Sequence, residues 1–196
     1  GETAAAAQKF REAADLDGAR FRAPSDFARV MQELAAQHPP EQLRYVDLSL
    51  QLAAVDPLQI PGRELFLEHV HFTSRGNLAV GRILAQQVWQ QCWGRSWDAA
   101  LALDDAALAQ RLGLLPEDEL AALALSLQVY DKAPFKQAWK AEQLRRSLLI
   151  SLQNQTAALP AERQRLFDQL SLQDLALDPV AALLRIGLRN GENPSF

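Results

Sequence analysis

Apolar residues recur at helical spacing along most of this chain. Phe27, Val30, Met31 and Leu34 share one face of a segment predicted to be helical over 26–37, with Ser25 as its cap and His38-Pro39-Pro40 as its stop. Leu78, Val80, Ile83, Leu84, Val88 and Cys92 form a second stripe, predicted to face the core of a helix running to about Trp93. The first 17 residues read as one further helix. After Gly94 the sequence is rich in Leu, Ala and Gln and carries only helix signals. Helices are expected from Asp104 or Asp105 to Leu112, from Pro116 to about Lys132, from Pro134 to about Gln155, from Pro160 or Ala161 onward, and from Asp178-Pro179 to about Arg189. One run breaks the pattern. Leu43-Arg-Tyr-Val-Asp-Leu48 is short and rich in β-formers, and predicts a strand. The expected fold is therefore mostly α with a short β element.

The chemistry concentrates in one stretch, Glu64-Leu-Phe-Leu-Glu68-His69-Val-His71-Phe-Thr73-Ser-Arg-Gly76-Asn77. Glu68 and His71 stand three residues apart, immediately before a helix that Thr73 or Ser74 caps. A carboxylate so placed can accept one ring N–H, fix the tautomer and leave the other nitrogen to act as a base. His69 directly follows Glu68 and is expected to point elsewhere. Gly76 in the first turn allows the helix to approach another backbone closely. Two other readings of the same residues stand beside this one. They are polar residues finishing a helix cap, or a His-x-His metal site from His69 and His71, which lacks a strong third ligand beyond Glu68 or Glu64.

This stretch resembles the last sequence block of the SGNH (GDSL-type) esterase and acyltransferase superfamily, which reads Asp-x-x-His, a short loop, Gly and an apolar helix. Glu68 stands at the Asp position, His71 at the His and Gly76 at the Gly. The resemblance implies an α/β, flavodoxin-like domain, with Leu43–Leu48 as one of its strands, His71 as catalytic base and Glu68 as its orienter. Ala6, Phe10 and Ala13 resemble the second helix of a tetratricopeptide repeat. Together the two are similar to bacterial proteins in which such repeats adjoin an SGNH-like domain. The expected organisation is a repeat-like tail helix over 1–17, the C-terminal part of an SGNH-like domain over 18–94, and a helical extension over 95–196. The family's Gly-Asp-Ser block, its Gly donor block and its Gly-x-Asn-Asp block are not found in these residues. Ser25, Ser49 and Ser74 occupy capping or helical contexts. The chain alone is thus expected to be inactive, since each lost oxyanion donor costs about 10²–10³ in rate. The complementing part is expected from a protein partner or from an N-terminal segment preceding Gly1, which is not Met. The alternative is a helical, repeat-like interaction module with vestigial SGNH features.

Composition sets outer bounds. In 196 residues, 48% are apolar and 22% charged, which suits a globular chain able to bury a core. A net charge of −4 argues against nucleic acid as partner. Cys92 is the single cysteine and is expected to be a buried small hydrophobe. No apolar run reaches the roughly 18 residues of a membrane span. No cofactor or metal is expected, and the ester substrate and the compartment are not encoded in any motif. An unpaired strand at 43–48 would expose an edge, which predicts self-association or a covering partner there.

Overall fold

Local capping chemistry decides where this chain turns helical. A computed structural model describes residues 2–18, 23–56, 59–99, 102–138 and 140–171. Among them α1 spans Glu2–Asp15, α2 Ser25–Ala36, α3 Leu48–Val55, α4 Ser74–Trp93, α5 Asp105–Leu112, α6 Pro116–Tyr130, α7 Ala141–Ala157 and α8 Ala161–Phe167. The chain divides into two compact units, Gly1–Ala102 and Leu103–Phe196. The helix expected after Asp178 lies outside the described residues.

The strand expected at Leu43–Leu48 does not form, and the α/β, flavodoxin-like reading falls with it. The described residues hold helices, no strand and no sheet. The cause is local. The Asp47 carboxylate accepts the Leu50 N–H at 3.0 Å and caps a helix that begins at Leu48. The six-residue run is therefore cut at its fifth residue. Leu43 N–H turns back onto the Pro39 carbonyl at 3.1 Å instead of joining a ladder. Val46 and Leu48 still do what their apolarity demands, packing on the Leu52, Leu65 and Ile83 core of the first unit. With no strand there is no strand edge, so that argument for self-association lapses.

In the first unit α3 packs on α4. Only the first half of the α4 stripe is core. Leu78 and Ile83 are buried, whereas Leu84 and Val88 are exposed, and so is Cys92, contrary to expectation. The core supplied by α3 and the 64–73 loop covers the N-terminal turns of α4, and its C-terminal turns run on past it. There Trp89 packs against Trp93 at 5.0 Å and edge-on against Trp97 at 6.1 Å between ring centroids. Helix α2 carries the apolar face that its spacing predicts, but Phe27, Val30, Met31 and Leu34 are exposed. Helix α1 buries no residue, and Phe10 of its repeat-like pattern is exposed. The two helices meet where the Ser25 N–H donates to Asp15 Oδ1 at 2.7 Å. That hydrogen bond to the backbone of Ser25 holds the Asp15 carboxyl below its ordinary value.

In the second unit α6 packs along α7, and α8 packs on α7. Their buried faces are Leu120, Leu123, Ala124 and Leu127 from α6, Leu148 and Leu152 from α7, and Leu166 and Phe167 from α8. The helix expected to start at Pro134 starts later. Phe135–Gln137 form a 3₁₀ turn, and Lys140 at φ +61° precedes the first residue of α7.

Candidate functional site

The stretch from Glu64 to Gly76 folds into a tight reverse turn clamped onto the start of α4. Leu67 N–H donates to the His71 carbonyl at 2.9 Å, and Thr73 N–H to the Leu65 carbonyl at 3.0 Å. Between these bonds Phe66 and Phe72 form a single antiparallel bridge, and their rings pack with centroids 4.7 Å apart. Thr73 ties the turn to the helix. Its hydroxyl donates to the Glu64 carbonyl at 2.8 Å and accepts the Gly76 N–H at 3.0 Å. Gly76 is required by proximity. A β-carbon there would lie 2.2 Å from the Leu65 carbonyl oxygen.

The tip of the turn is Glu68-His69-Val70, and Glu68 fills its inside. Its carboxylate takes the Val70 N–H on Oε2 and the His71 N–H on Oε1, both at 3.1 Å. These are backbone donors that a tight turn leaves without a ladder partner. The same oxygens meet the two imidazoles. His71 Nδ1 hydrogen-bonds Oε1, and His69 Nδ1 lies against Oε2. The additional methylene of Glu, relative to Asp, lets one carboxylate reach around the turn to all four nitrogens.

The structure therefore brings Glu68 and His71 together, as their spacing predicts. It also brings in His69, which was expected to point elsewhere. The three side chains differ sharply in exposure. Glu68 is 1% exposed, His69 21% and His71 65%. A buried carboxylate thus holds a ring whose other edge reaches solvent. With Nδ1 donating to the carboxylate, Nε2 of the neutral ring is the free acceptor. Ser25 and Ser74 are the first residues of α2 and α4, and Ser49 lies within α3, so none sits on the sharp strand-to-helix turn that exposes a nucleophile. Among the described residues no group of three His, Cys, Asp or Glu side chains is placed to hold a metal ion. No helix among them is long and apolar enough to cross a membrane.

Burial disfavours the charged form of Glu68. The His71 ring, the Val70 N–H, the charge of His69 and the His71 N–H together outweigh it, and the carboxyl titrates below its ordinary value. A carboxyl lowered on folding contributes stability above its unfolded pKa, about 4.3 for Glu. That contribution is lost as pH falls through the folded value. Thermal midpoints of the wild type and Glu68→Gln should therefore be furthest apart near neutrality and converge at acid pH. Midpoints that stay parallel down to the acid limit would contradict this account of the turn.

No known protein family matches the chain, and neither a curated protein nor a solved structure does.

Proposed function

We propose that the 64–77 turn is the base-and-orienter part of an ester-processing site of SGNH type, with His71 as general base and Glu68 as its orienter. The observation that carries this reading is the pairing of a buried carboxylate with the Nδ1 of a largely exposed imidazole. His71 Nε2 would take the proton of a serine hydroxyl as Oγ bonds to an ester carbonyl carbon. It would then return that proton to the departing alkoxide, leaving an acyl-serine. Water then bonds to the acyl carbon, giving up a proton to Nε2, and Nε2 passes that proton to the serine Oγ as its bond to the acyl carbon breaks, which releases the acid and restores the serine and the neutral ring. Glu68 stays ionised throughout and stabilises the transient imidazolium. The serine and the oxyanion donors belong to a partner or to another segment of the same polypeptide.

Exposed Phe27, Val30, Met31 and Leu34 favour a second reading, a helical interaction module in which the turn is structural. Ester turnover separates the two. In the assembly that contains the serine, His71→Ala is expected to cost about 10³-fold or more in kcat. The 196-residue chain alone should hydrolyse an activated ester no faster than free imidazole. Turnover that ignores His71→Ala would leave the interaction module as the surviving reading.

A further inference from the structure

We draw no further inference here: the strongest candidate, the exposed apolar face that Phe27, Val30, Met31 and Leu34 form along α2, carries none because nothing in the structure shows what covers it.

Discussion

Gly76→Ala is expected to unfold the first unit's site, while Gly81→Ala, five residues further along the same helix, is expected to stabilise it. An alanine β-carbon at position 76 would lie 2.2 Å from the Leu65 oxygen, 3.0 Å from the Leu65 carbon and 3.1 Å from the Phe72 β-carbon. The first two are backbone atoms of the turn, held by the Thr73 N–H and by the Thr73 hydroxyl on Glu64, so they cannot swing aside as a side-chain tip would. Relief requires lifting the turn off α4, which would expose Leu65 and uncouple Phe66 from Phe72. A cost of about 3 kcal/mol follows from overpacking against a fixed backbone. At Gly81 nothing lies within 4 Å of the added carbon, and alanine gains about 0.5–1 kcal/mol by its helix propensity. Urea denaturation of the two variants checks both signs. Equal effects would mean that the close approach of α4 to Leu65 is not what holds the turn.

The parts of this architecture that were legible in the sequence are those governed by neighbours in the chain. Thr73 caps α4, Asp104 caps α5, and Pro116 opens α6 with Glu117, Asp118 and Glu119 behind it. Each signal acts within three or four residues, where the donors of a helix end find their acceptors. Leu43–Leu48 failed for the same kind of reason. Its composition suits a strand, but a strand needs a distant partner, whereas Asp47 needs only the Leu50 N–H three residues away. The stripe on α4 misled in another way. Periodicity tells which face is apolar but not how far along the helix a covering element extends, so Val88 and Cys92 were expected inside and stand outside.

The site divides along the same line. Glu68 and His71 are three apart, and a tight turn is enough to join them. His69 was misplaced because adjacent residues in an extended segment point in opposite directions. That rule does not hold at the tip of a turn, where the chain bends around the Glu68 side chain and brings both rings to one carboxylate. The alternation His69-Val70-His71 across a short turn was the signal available. Glu117 and Arg163 gave no such signal, being 46 residues apart.

That pair carries the second large expected effect. The Glu117 side chain is fully buried at the first turn of α6, and the Arg163 guanidinium on α8 meets it at 2.9 Å. Glu117 Oε2 is buried with no hydrogen-bond partner, so the carboxylate relies on Arg163 and on the positive end of its own helix. Arg163→Met keeps the apolar stem and removes the guanidinium. It should destabilise the second unit by about 3–5 kcal/mol, because a charge remains in the core without its counter-ion. Glu117→Met should cost less, since the partly exposed Arg163 can turn its charge toward water. The double variant should recover much of the Arg163→Met loss, because an apolar pair of similar volume replaces a pair that is costly to desolvate. Chemical denaturation of the four proteins closes the cycle. A coupling close to zero would show that Arg163 does not hold the buried charge. A double variant worse than either single change would show that Glu117 has an essential contact beyond Arg163.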